Sequence, residues 1–506
     1  MLTPGFFRSP PCRSEFEHFL NRENQLGRRD LILPVYYVNC PVLNDEARRE
    51  SDLLAKTIGG RQYADWRELR FEPFTSPQVG KTIARLAEQI VQSLERDAPV
   101  KPVVVEAKVS EAETGSNAAA IPSKSGEAAT EMPVTSRGPA EKTEPRTRVV
   151  DALHRGDHLT LTDALSATEP GDRILIRPGL YKEGVVIDKP VEIIGDGELG
   201  EVVIEANGKD AILFQANMAR IANLTLRQTG GGNWFCIDIT QGRLDLEGCD
   251  ITSQSLACVA IRDGADPRLR RNRIHDGNQG GVYVYANGQG TLEDNDIFAN
   301  AVAGVEIISG GNPSLRHNRI HHGKQVGVMV GADGHGTLED NDIFANTFAG
   351  VEIKESGNAT LRRNRIHDGG GTGAFVHTNG QGILEDNEIF ANARAGVEIR
   401  GGGNPTLRRN RIRDGKSGGV FVHNDGQGTL EDNDILANAF AGMEIKEGGS
   451  PIVRRNRISE HAYQAIWVYD GGRGVFEDND LRGNTRGAWN ISTDCQDKVI
   501  RERNKE

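Results

Sequence analysis

LRRNRIHDGNQGGVYVYANGQGTLEDNDIFAN, residues 269–300, holds two versions of one 23-residue unit. The pair recurs, so that asparagine stands at 272, 295, 318, 341, 364, 387, 410, 433, 456 and 479 with no insertion or deletion between. Leu269–Gly277 is echoed by Leu361–Gly369, and Leu292–Asn300 by Leu338–Asn346. So short and strict a period marks a solenoid, in which each unit buries its apolar face only by stacking on its neighbours. The apolar runs, Val282-Tyr283-Val284 and Val305-Glu306-Ile307, have period two, and Gly280-Gly281 and Asn287-Gly288-Gln289-Gly290 interrupt them. Period two with glycine bends reads as short strands rather than helices. The expected fold class is therefore mostly β, a right-handed parallel β-helix of 23-residue coils, preceded by a small α/β segment.

Columns along the stack carry the rest of the reading. Leucine three residues before each asparagine (Leu269, Leu292, Leu315) and isoleucine two after it (Ile274, Ile297, Ile320) are expected to face inward. The asparagine is then expected in a bend, in left-handed backbone, with its amide donating to the next asparagine about 4.8 Å along the axis. Two residues before it the column alternates Arg270, Glu293, Arg316, Glu339, Arg362, Glu385, and one residue after it Arg273, Asp296, Arg319, Asp342, Arg365, Glu388. Parallel stacking makes these neighbours, so each coil meets opposite charge above and below, which helps fix the register. Asp294-Asn295-Asp296 is thus one rung of a neutralised ladder rather than a calcium loop, and no metal is expected.

The 506 residues change composition along the chain, giving four expected parts: 1–97 α/β, 98–147 a flexible linker rich in Ala, Glu, Ser, Thr and Pro, 148–492 the β-helix, and 493–506 a charged tail. A net charge of −12 argues against nucleic acid as a partner, because phosphate neutralisation needs basic surface. Six scattered cysteines without metal spacing fit a reduced compartment. With neither a signal-peptide pattern nor a membrane-length apolar run, the expected location is the cytoplasm, with no membrane partner.

Residues 159–197 read as a short amphipathic helix, a strand, the turn Pro178-Gly179 and two more strands, with the helix capping the open solenoid end. This opening resembles the pectate-lyase-like superfamily. The coils that follow resemble the repeats called the carbohydrate-binding and sugar-hydrolysis domain, found in periplasmic copper-maturation proteins and in a human F-box ubiquitin-ligase subunit. The resemblance implies the fold and leaves activity open among lyases, hydrolases, esterases and protein-binding domains. Sugar hydrolysis needs two carboxylates across a cleft, one with a raised pKa. Nearly every repeat carboxylate has an arginine in the matching column, and Asp333-Gly334-His335-Gly336 is one copy of the turn at Asn287–Gly290.

One outward stripe reads Tyr283, Glu306, Met329, Glu352, Phe375, Glu398, Phe421, Glu444, Trp467, and its neighbour Tyr285, Ile308, Gly331, Lys354, His377, Arg400, His423, Lys446, Tyr469. Large apolar groups recurring every second coil, about 9.6 Å apart, beside a basic and histidine row make a docking surface for an extended peptide or a glycan. The expected ligand-binding residues are Tyr283, Phe375, His377, Arg400, Phe421, His423 and Trp467; the alternative is that these side chains only cover the sheet.

In the amino-terminal part, LTPGFFRSPPCRSEFEHFL, LILPVYYV and RQYADWRELRFEPFTSPQVGKTIARLAEQI resemble the carboxyl-terminal half of bacterial TIR domains. Helix 10–20, strand Leu31–Val38, a long polar loop and a last helix carrying Val79, Ile83, Leu86, Ile90 and Leu94 are expected. In TIR domains that hydrolyse NAD, a glutamate three residues after the helix cysteine is catalytic, and Glu15 after Cys12 matches that place. The first strands and the loop that complete a flavodoxin-like TIR sheet do not precede this segment. An upstream start, a remnant, or completion by another chain each account for that. Possible TIR–TIR self-association follows from the resemblance, and NAD enters only as a substrate; no cofactor is expected. The leading expectation is a TIR-linked β-helix binding scaffold. An NAD-hydrolysing effector and a carbohydrate-active enzyme are the alternatives.

Overall fold

The computed structural model describes residues 146–506 continuously, together with a discontinuous set between residues 7 and 89. The chain divides into two compact units, Met1–Val134 and Thr135–Glu506.

In the first unit, strand Val35–Tyr36 pairs in parallel with Ala64–Asp65. Helices Pro41–Asn44 and Leu53–Gly59 lie between them in sequence, where the sequence suggested a long polar loop. Buried Ala55 and Ile58 on the second helix account for that helix, since they pack with Tyr36, Cys40 and Leu54 in a small core. Glu23, almost fully buried, accepts from Arg61 at 2.5 Å and from the amide of Ile32 at 3.1 Å. Glu15 lies outside the described residues, as do Cys12 and Val79, Ile83, Ile90 and Leu94 of the expected last helix.

The second unit is a parallel β-solenoid of three sheets. The first sheet has 16 strands, from Thr147–Val150 to Val499–Glu502; the second has 13, from Gly179–Tyr181 to Arg457–Ser459; the third has 14, from Val185–Ile187 to Trp489–Ile491. Period two in the sequence puts one side chain of each short strand outward and its neighbours inward. Leu269, Leu292 and Leu315 of the first sheet, Ile274, Ile297 and Ile320 of the second, and Val282, Val284, Val305 and Ile307 of the third are all fully buried in one continuous core. Helix Leu161–Ala167 begins at Thr160, whose hydroxyl accepts from the Asp163 amide at 3.0 Å, and the Glu183 carboxylate accepts from the Leu161 and Thr162 amides. Its Leu161, Ala164 and Leu165 close the core at the first coil.

The asparagine column is a ladder. Oδ1 of Asn295 accepts from both the amide and Nδ2 of Asn272 at 3.0 Å, while Nδ2 of Asn272 also reaches the Leu246 carbonyl at 3.0 Å, and the pattern repeats coil by coil. Cys249 begins it by donating its amide to Asn272 Oδ1 at 2.9 Å. The bend differs from expectation. The left-handed backbone falls on the preceding residue, Arg271 at φ 52°, Asp294 at 56° and Asp340 at 55°, because the asparagine must turn inward to satisfy buried amides. The tail is also corrected. Thr493–Lys498 is a 3-10 helix, Val499–Glu502 pairs with Gly474–Glu477, and Asn504 extends the ladder by accepting from Asn479 at 3.0 and 2.9 Å.

Candidate functional site

Three alternating charge columns run along the stack. Arg319 reaches Asp296 at 3.3 Å and Arg365 reaches Asp342 at 3.2 Å; Arg362 reaches Glu385 at 3.3 Å and Arg408 reaches Glu431 at 3.3 Å. A third column, unremarked in the sequence, sits on the left-handed corner and pairs Arg363 with Asp340 at 2.9 Å and Arg409 with Asp386 at 2.8 Å. On the second sheet the residues three after the asparagine form a stack of alternating rings: His275, Phe298, His321, Phe344, His367 and Phe390, at centroid distances of 4.5–5.4 Å, with Arg413 closing it over Phe390 at 4.6 Å. Each exposed ion pair contributes about 0–1 kcal/mol. Their joint effect is to leave little uncommitted polar capacity on the first two sheets.

The third sheet carries the predicted stripe. Tyr283, Glu306, Met329, Glu352, Phe375, Glu398, Phe421, Glu444 and Trp467 are successive register partners. Their rings are half-buried rather than freely exposed, because each stacks on the side chain two residues on. Phe375 lies 4.2 Å from His377, Phe421 4.1 Å from His423, Tyr283 4.4 Å from Tyr285 and Trp467 4.6 Å from Tyr469. Each histidine then reaches back one coil: His377 Nε2 donates to Glu352 at 3.0 Å and His423 Nε2 to Glu398 at 3.1 Å. The Arg400 guanidinium also lies over the Phe375 ring, 4.8 Å from its centroid. Phe375, His377 and Arg400 thus form one cluster and Phe421 and His423 a second one two coils on, while Tyr283 stands four coils from Phe375, about 19 Å along the axis, and Trp467 two coils beyond Phe421.

Electrostatics separates the carboxylates. Burial works to raise Glu352, but the His377 hydrogen bond and the charge of Lys354 outweigh it, and the carboxyl sits below its ordinary range. Glu398 is likewise lowered, burial being overcome by hydrogen bonds from His423 and from Thr372. Glu306 goes the other way. Met329 and Gly331 stand where Phe375 and His377 stand two coils on, so no imidazole reaches Glu306, and burial pushes its carboxyl up.

A cleft of about 500 Å³ opens on this face. Gly370 and Gly371 leave a gap in the corner column between Phe348 and Arg394; Thr372 and Phe375 form the floor, and Glu352, Glu398, Lys354 and Arg400 the rim. Phe348, 57% exposed, is the free ring of the cleft. The sequence reading passed over it, although the corner column Gln325, Phe348, Gly371, Arg394 is legible at the same 23-residue spacing. Among the described residues no three His, Cys, Asp or Glu side chains are grouped to hold a metal ion, and no helix is long and apolar enough to cross a membrane.

The family described as "right handed beta helix region" matches residues 210–355, 300–393 and 349–504. Among curated proteins, F-box protein SKIP5 of Arabidopsis thaliana is 31% identical over 136 residues, 25% of this chain and 48% of that protein. F-box only protein 10 of Mus musculus is 33% identical over 114 residues, 22% of this chain and 11% of that protein. The matched part thus spans about half of the first relative and about a tenth of the second. Similar solved structures include the A-module of the Azotobacter vinelandii mannuronan C-5 epimerase AlgE6 (18% identity, TM-score 0.41, 68% of this chain and 92% of that one). Others are the periplasmic alginate epimerase AlgG (14%, 0.43, 65% and 78%) and the Agl-KA catalytic domain (13%, 0.41, 68% and 63%).

Proposed function

The chain belongs to the right-handed β-helix family, and from that premise we propose that it is a binding scaffold whose peptide or glycan ligand docks in the cleft over Gly371. The observation that carries this reading is the cleft itself, a concave site with one exposed ring and several charged groups on a surface whose other charges are largely paired within the chain. The expected Phe375, His377, Arg400, Phe421 and His423 act in it as floor, rim and support. The test is a screen of the full chain against peptide and oligosaccharide arrays, repeated with Phe348→Ser. Ligands that bind the parent and are lost in the variant support the reading; ligands retained by Phe348→Ser place recognition elsewhere. The compartment proposed is the cytoplasm, to which the buried free thiols of Cys236, Cys249, Cys258 and Cys495 are suited.

A second reading, an NAD-hydrolysing effector of TIR type acting in signalling or defence, draws on the parallel pairing of Val35–Tyr36 with Ala64–Asp65 around two helices. It assigns catalysis to Glu15. NAD consumption that disappears with Glu15→Ala supports it, and no turnover by the parent chain removes it.

A further inference from the structure

Some polar groups of the cleft are engaged within the chain and others are open to a ligand. Glu352 and Glu398 are already engaged by His377 and His423, and Glu398 by Thr372 as well. Phe375 is stacked on His377 and has the Arg400 guanidinium 4.8 Å from its centroid. The cations are different. In the same coils Arg362, Arg363, Arg365, Arg408, Arg409 and Arg413 each have a carboxylate within 4.0 Å, whereas Arg411 and Lys416 have none and lie outside the cleft. Among the described residues, Lys354, Arg394 and Arg400 have neither an ion pair nor a hydrogen bond to a side chain or carbonyl, and all three line the cleft. Lys354 and Arg400 stand two coils apart, about 9.6 Å, close to the span of three extended residues. Strand edges offer nothing, since these strands are paired on both sides.

Resting on the cleft as the ligand site, we propose that it binds an acidic peptide segment, whose carboxylates pair with Lys354, Arg394 and Arg400 while an apolar side chain packs on Phe348. A sugar chain is the less favoured occupant. Glu398 has a partner on each carboxylate oxygen and Glu352 on one, and the floor ring is stacked on His377, whereas bidentate guanidinium donors and one exposed ring remain. The experiment is calorimetric titration of the full chain with a capped hexapeptide of alternating glutamate and leucine, its glutamine counterpart, and a uronic-acid trisaccharide. The acidic peptide is expected to bind, the glutamine peptide about tenfold or more weakly, with affinity falling as salt rises. Arg394→Ser with Arg400→Ser is expected to cost about tenfold with an unchanged circular dichroism spectrum, while Arg319→Ser on the second sheet leaves the affinity unchanged. Equal binding of the glutamine peptide, or tighter binding of the trisaccharide, overturns the proposal. If only neutral array ligands bind, and do so through Phe348, the acidic occupant fails while the cleft stands as the site; if nothing binds, both fail.

Discussion

Single residues set both the stability and the pH response of the solenoid. Asn364 accepts from the amide and Nδ2 of Asn341 and donates to the Leu338 carbonyl at 2.8 Å and to Asn387 Oδ1 at 3.0 Å. Asn364→Ala strands the buried Asn341 amide and takes one of its bonds from the Leu338 carbonyl, so a loss of about 1–3 kcal/mol is expected in a urea melt. Asn364→Asp should do no better, since it keeps the acceptor but sets a carboxylate against the Leu338 carbonyl. A second buried asparagine column, Asn300, Asn346, Asn392 and Asn438, continues at His461, whose Nδ1 accepts from the Asn438 amide at 3.1 Å and whose Nε2 donates to the Ile435 carbonyl at 3.0 Å. Burial pushes His461 down to about 4. The unfolded chain, with histidine near 6.5, therefore binds the extra proton first. The contribution of neutral His461 is whole above pH 6.5 and is lost as pH falls toward 4, on the order of 3 kcal/mol. His461→Asn, which can make the same two bonds, should flatten stability between those pH values; an unchanged slope contradicts the assignment.

At the scale of the strand and its bend, backbone approach decides which positions tolerate a side chain. A Cβ at Gly396 would lie 2.3 Å from Ile412 Cγ2 and 2.9 Å from the Gly419 carbonyl of the next coil, so Gly396→Ala should cost about 2–4 kcal/mol and disturb stacking there. Gly401, at φ 53° in a column otherwise held by Asp, Ala, Ser, Glu, Thr and Asn, should accept asparagine within about 0.5 kcal/mol. Thermal melts of the two variants side by side check the contrast. The inward leucines and isoleucines, the asparagine ladder and two of the charge columns were readable because a fixed 23-residue spacing makes register explicit. Spacing does not report φ, so the left-handed corner was placed on Asn272 and its equivalents instead of on Arg271 and Asp294. Nor does it report which outward columns come into ring contact, so the His275–Phe390 stack went unseen. The last coil was missed because Asn479 and Asn504 are separated by 25 residues rather than 23, and the period ends there.

For the whole molecule, repetition has a functional corollary. A surface that neutralises itself coil by coil is rigid and offers little to a ligand, and the informative places are those where the repeat departs from itself. Met329 and Gly331 break the ring-and-histidine pattern beside Glu306; Gly371 breaks the corner column and opens the cleft. The stripe Tyr283 to Trp467 was visible in the sequence, but its rings turn out to be the supported floor of the face, and the accessible ring, Phe348, came from a column that strand patterning did not single out. Hydrogen–deuterium exchange of the full chain, with and without the acidic hexapeptide, tests the central claim most directly. The account predicts slowed exchange confined to the turns at residues 345–350, 368–373 and 391–396 that frame the cleft. Protection confined to the second sheet, or to the unit Met1–Val134, would contradict it.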